Sequence, residues 1–149
     1  MTQVQPHNKL TLFIKFVFVV LSWAAGAKEV RSLAEYNSCM IHNRQVTHAV
    51  AAFGAVLLLA LLGVAFKLGN RGKSSASWAV LGYGSWMTVF WVGFLDMYRY
   101  ESGVWLPLIA VTIFTWGGLR AAFYGRWNAV AVWSCWSLIL LAVRMLWHL

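Results

Sequence analysis

The chain has 149 residues, of which 61% are hydrophobic and only 11% charged, with a net charge of +8. A soluble domain carries apolar residues nearer half and charges near a quarter, so this composition excludes an ordinary water-soluble fold. The length fits one domain. The excess of positive charge does not mark a nucleic-acid binder, because the basic residues are scattered at segment ends and form no stripe or face.

Taken in order, the chain offers five apolar segments, at about residues 10–27, 49–66, 77–96, 104–124 and 129–148. Each is near the roughly 20 residues that a helix needs to cross about 30 Å of hydrocarbon. The fold expected is all-α, an integral membrane bundle of four to five transmembrane helices in a single polytopic domain, the first and last segments carrying the weaker signal.

The first segment, Leu10 to Ala27, reads as an uncleaved signal-anchor. A cleaved signal peptide ending near Ala24-Ala25-Gly26-Ala27 is the alternative. Lys15 lies inside it, where a lysine can lay its methylenes along apolar surface while the ammonium reaches the near interface. The polar stretch from Lys28 to His48 follows, with Cys39, His42 and His48. Cys39-x-x-His42 has the look of a half metal site, but a closed zinc site needs four ligands. Solvated loop histidines are the simpler reading.

In the second segment Ala51 and Ala55 give a small-xxx-small pair that lets another helix approach closely. A basic linker, Lys67 to Ala76, leads to the stretch around which the chain is expected to be organised, the hairpin from Ser77 to Arg126. Gly125 is a candidate helix C-cap and Asn128 a candidate N-cap. Cys135 falls in the last segment, on the other side from Cys39, so an internal disulfide between them is not expected.

Orientation is read from lysine and arginine in the loops. With the N-terminus on the cytosolic side, that side holds Lys9, Lys67, Arg71, Lys73, Arg120 and Arg126 and no acid. The opposite side takes Glu29, Glu35, Asp96 and Glu101. Many aromatics sit at segment ends, as an interfacial belt requires. Trp86, Trp91, Trp116, Trp133 and Trp136 lie deeper, where an indole N–H wants a partner. Trp86, Trp91, Trp116, Gly82 and Gly93 are therefore the candidate interhelical packing residues. Asp96 ends an apolar run, and a partner such as Arg99 or Arg144 is useful there, giving a candidate ion-pair cluster of Asp96, Arg99 and Arg144.

No base stands beside a nucleophile, and Gly82-x-Gly84 inside an apolar run reads as close packing rather than phosphate binding. No acid lies mid-segment, which speaks against a proton or ion carrier. The reading therefore assigns no catalytic residue, no cofactor and no metal.

Ser85-Trp86-Met87-Thr88-Val89-Phe90-Trp91-Val92-Gly93-Phe94 and Ile109-Ala110-Val111-Thr112-Ile113-Phe114-Thr115-Trp116 resemble the third and fourth spans of the synaptogyrin and synaptophysin family, the MARVEL-domain proteins. The resemblance covers about residues 10–126. It implies a four-helix membrane bundle with both ends cytosolic, a non-enzymatic role in organising vesicle or junctional membranes, and partner membrane proteins. A fifth apolar segment, a tiny second outer loop without cysteines and the lack of a long polar tail depart from that pattern.

The function expected is thus that of a non-enzymatic multi-pass protein acting by lateral association with a membrane partner or with itself, as a membrane organiser or an accessory subunit of a membrane complex. The alternatives are a redox or cofactor-binding subunit using His42, His48 or the deep tryptophans, and a small membrane inhibitor, immunity protein or transporter.

Overall fold

The computed structural model describes residues 6–35, 41–97 and 105–147, and side-chain surroundings within 9–35, 48–95 and 106–147. Among the described residues five helices follow one another: α1 (Pro6–Ala34), α2 (Ile41–Asn70), α3 (Ser74–Met97), α4 (Trp105–Phe123) and α5 (Trp127–Trp147). All five are long and apolar enough to cross a bilayer. The chain is an all-α bundle with the build of a multi-pass integral membrane protein.

Helices outrun the apolar segments. α1 continues through Lys28, Glu29 and Arg31, and α2 already includes His42 and His48. His48 is therefore an exposed helical residue rather than a loop histidine. Cys39 and the side chain of His42 lie outside the described residues. Beyond the apolar part of α1, Arg31 Nε meets Glu35 Oε1 at 2.8 Å one helical turn on. Both side chains are largely exposed, so water screens the pair and it adds little.

The basic linker is also shorter than expected, because α2 reaches Asn70 and α3 begins at Ser74. Gly72, at φ 75°, ends α2. Its N–H donates to Gly69 O at 3.1 Å, and Lys73 N–H donates to Leu68 O at 3.0 Å. Gly125, at φ 66°, ends α4 in the same way, with Gly125 N–H on Ala122 O and Arg126 N–H on Ala121 O. Both are Schellman turns, which need a left-handed residue that glycine adopts without a Cβ penalty. Gly125 is thus the residue after the helix cap, as its place in the sequence suggests. Asn128 is not the N-cap of α5: Val130 N–H donates to Arg126 O, so Arg126 holds that position and Asn128 lies within the first turn.

α3 is the hub. Of its span, 61% is buried, against 11% to 22% of each of the others. The pairs α1/α2 and α4/α5 flank it, and α3 packs against all four, most extensively against α1 and α2. Tyr83, Met87, Val80 and Val92 are almost fully enclosed, together with Val111 of α4 and Val130 of α5.

Close approach is secured by small residues. A Cβ on Gly82 would meet Phe18 and Val19 of α1 at 2.9 Å, and one on Gly54 of α2 would meet Val30 and Val92 at 2.7 Å. One on Gly118 of α4 would run into the Tyr83 ring. Ala51, half of the small-xxx-small pair, is buried beside Leu33 and Val92. Gly118→Ala should therefore cost about 1–3 kcal/mol, the usual penalty for overpacking, read as earlier unfolding in a denaturant titration in detergent. Gly63→Ala, where a Cβ would meet nothing within 4 Å, should leave the transition in place.

Candidate association surfaces

The mean hydropathy of the α3 span, 1.3, is the lowest of the five; α2 has 2.6. In hydrocarbon a lone hydroxyl or indole N–H has no water to bond, so it must find protein. Ser77 Oγ donates to Ala65 O of α2 at 2.6 Å. Tyr83 OH donates to Phe114 O of α4 at 2.7 Å. Trp86 Nε1 donates to Ser137 Oγ of α5 at 2.8 Å, and Trp91 Nε1 to Thr115 Oγ1 of α4 at 2.9 Å.

The accepting hydroxyls are themselves oriented. Thr115 donates to Val111 O and Ser137 to Ser134 O, leaving a lone pair for each indole. Thr88 and Ser134 bond back four residues along their own helices, which satisfies a hydroxyl without any neighbour. Ser85 Oγ is buried with no partner among the described residues.

Of the residues singled out in the sequence, Trp86, Trp91 and Gly82 lie between helices. Two do not. Trp116 is 74% exposed, because Thr115 beside it turns inward to Trp91 and a helix sends neighbouring residues to different faces. Gly93 faces a space where a Cβ would meet nothing within 4 Å. Trp136 too is more than half exposed. Trp133 is half-buried, pressed on Gly117 and tilted against Phe114. The side chains of Asp96 and Arg99 lie outside the described residues. Arg144 lines a cavity of about 480 Å³ together with Glu29, Trp86 and Gly93. Gly84, which the sequence reads as close packing, and Gly54 and Gly118, which it does not single out, are tighter contacts than Gly93; a glycine inside an apolar run gives no sign of what stands opposite it.

On the face between α2 and α4 the bundle is open. A cleft of about 200 Å³ has Gly84, Thr88 and Trp91 of α3 at its edge, with Phe53 and Leu61 of α2 and Thr115 of α4. It shares Trp91, Thr115 and Leu119 with a second hollow of about 550 Å³, whose lining includes Trp116, Arg120 and Tyr124. Small and hydroxyl-bearing residues thus meet an outward-facing tryptophan. Such a surface suits another helix, since packing and interhelical hydrogen bonds, not hydrophobicity, drive association in lipid.

Charge divides by end. Lys9, Lys15, Lys67, Arg71, Lys73, Arg120 and Arg126 gather where α3 begins and the α4–α5 turn sits, with no acid among the described residues there. Glu29 and Glu35 belong to the far end. Among the described residues no three of His, Cys, Asp and Glu come together as a ligand set for a metal ion. Cys135 is exposed as a free thiol on α5. Compared with family models, curated proteins and solved structures, the chain matches none.

The indole–hydroxyl bonds give a direct test. Trp86→Phe and Ser137→Ala should each destabilise the bundle, and a double-mutant cycle should return a coupling of about 0.6 kcal/mol, with about 1.7 as the upper end for such bonds in membranes. Chemical unfolding of the four variants in bicelles measures it.

Proposed function

We propose that this protein is a non-enzymatic multi-pass membrane protein that works by lateral association, receiving a membrane-spanning helix of another chain on its α2/α4 face. The observation that carries the reading is the cleft that reaches Gly84, Thr88 and Trp91 of α3 from outside, with Trp116 exposed beside it one turn from Arg120. Lipid chains can fill such a cleft, but they offer no acceptor to the exposed Trp116 indole N–H, and an incoming helix with hydroxyl residues does. The occupant is a helix of a membrane partner or of a second copy. The role that follows is organisation of a membrane assembly or service as an accessory subunit, the same kind of role that the likeness to MARVEL-domain proteins implies. The fifth span sets this chain apart from their four-helix plan.

The basic end belongs on the cytosolic side, because lysine and arginine near short loops are held back from translocation. The N-terminus is then cytosolic, and with five crossings the C-terminus is on the opposite side. In a Cys39→Ser/Cys135→Ser background, cysteines at Lys73 and Arg126 should react with an impermeant thiol reagent only from the cytosolic side. A cysteine at Glu35 should react only from the other side.

Trp116→Ala should weaken association at least tenfold, a loss of about 1.4 kcal/mol, while leaving monomer stability within about 0.5 kcal/mol, as expected for an exposed position. Trp136→Ala, on an exposed face of α5, should change neither. Crosslinking in native membranes followed by mass measurement reads the complex directly: a stoichiometric adduct of wild type that Trp116→Ala lacks supports the reading, and a lone monomer in wild-type membranes contradicts it.

A further inference from the structure

At the basic end, α1, α3 and α5 line an open recess of about 630 Å³. Lys9 and Lys15 line it from α1, and Ser74 and Ser75, the first residues of α3, line it from below. The first N–H groups of a helix lack intrahelical acceptors and make its N-terminus partly positive. No acid among the described residues stands at this end to neutralise the lysines. The wall is aromatic: Phe16 meets Trp78 edge-on at 6.3 Å, and Trp127 donates its indole N–H to Ser75 Oγ at 3.0 Å. The Lys15 ammonium stands 5.0 Å over the Trp127 ring. A lysine inside an apolar span is thus held toward the recess rather than left to lipid.

This recess has a neighbour. It shares Lys15 and Trp127 with a second recess of about 660 Å³ that runs between α1 and α5. α1 and α5 touch near Trp127, where Phe18 packs edge-on at 6.3 Å. Farther along, Leu21, Trp86, Val130, Ala131 and Leu138 line the groove between them. A cationic recess with hydroxyls therefore borders, at Lys15 and Trp127, an apolar groove between α1 and α5. The two parts match the two parts of one amphiphile.

We infer that the α1/α3/α5 recess is a binding site for one anionic diacyl phospholipid, its phosphate held by Lys9, Lys15 and the start of α3 and an acyl chain laid between α1 and α5. Each lysine near an anionic headgroup strengthens its binding about fivefold, and a charged pocket of this kind prefers an anionic over a zwitterionic headgroup. The site is separate from the α2/α4 face and does not depend on what that face receives.

Native mass spectrometry of the full chain, delipidated and titrated with phosphatidylglycerol or phosphatidylcholine of identical chains, tests it. The wild type should retain one phosphatidylglycerol in preference to phosphatidylcholine. Lys9→Gln/Lys15→Gln should lower that retention about thirtyfold, whereas Lys67→Gln/Lys73→Gln, which removes the same charge outside the recess, should leave it unchanged. Ala131→Trp keeps every charge and fills the groove, and should also release the lipid, so it decides the matter if the lysine pair fails to fold. Equal retention of the two lipids, equal loss in both lysine pairs, or full retention by Ala131→Trp would overturn the inference. Displacement of the lipid by inorganic phosphate at matching concentration would overturn it as well, by marking the pocket as a site for the free ion.

Discussion

In hydrocarbon a hydroxyl or an indole N–H that finds no protein partner finds none at all, and the bundle is arranged around that constraint. α3 carries Ser77, Tyr83, Ser85, Trp86, Thr88 and Trp91 along one span. Left facing lipid on several sides it would be the poorest membrane helix of the five. Enclosed by the others, it sends Ser77 to α2, Tyr83 and Trp91 to α4 and Trp86 to α5. The most apolar helix, α2, by contrast leaves most of its surface outward. The most buried span of this protein is therefore its least apolar one, the reverse of a soluble core.

The same constraint explains the tight contacts. Hydrogen bonds between helices form only if backbones come close, and glycine at 82, 84 and 118 provides the room for Phe18, Leu61 and Tyr83. Tyr83 links the two effects, since its ring lies on Gly118 while its hydroxyl reaches Phe114 O. The turns complete the frame: Gly72 and Gly125 end α2 and α4 with matching geometry at the same end of the bundle, and Trp127 N–H to Ser75 joins the two turns.

Much of this was legible in the chain. Length and hydropathy locate five spans, and Gly125 marks its turn. Helix ends were less legible, because the polar residues from Lys28 to Ser32 and from Lys67 to Asn70 remain helical beyond the apolar stretch. The hairpin Ser77–Arg126 was a sound focus, although the sequence treats its two arms as equals and the bundle does not: α3 is central and α4 one of its neighbours. Which tryptophans turn inward was not legible. α4 is apolar around its whole circumference, so nothing in its periodicity separates Thr115, which bonds Trp91, from Trp116, which faces out. Gly93 and Gly84 look alike in sequence, and only the partner helix distinguishes open space from Leu61.

The central position of α3 is the claim on which the other readings rest, and a lipid-accessibility scan tests it most directly. Spin labels placed one at a time along residues 77–95 in bilayers, relaxed by membrane-soluble oxygen, should be shielded at nearly every position, including Ala79, Tyr83 and Val92. The same scan over residues 56–66 of α2 should show strong accessibility recurring with the helical period, at Val56, Leu59 and Phe66. An equally strong accessible stripe along α3 would contradict the account, because a helix with that stripe would expose polar side chains to lipid that the bundle is built to enclose.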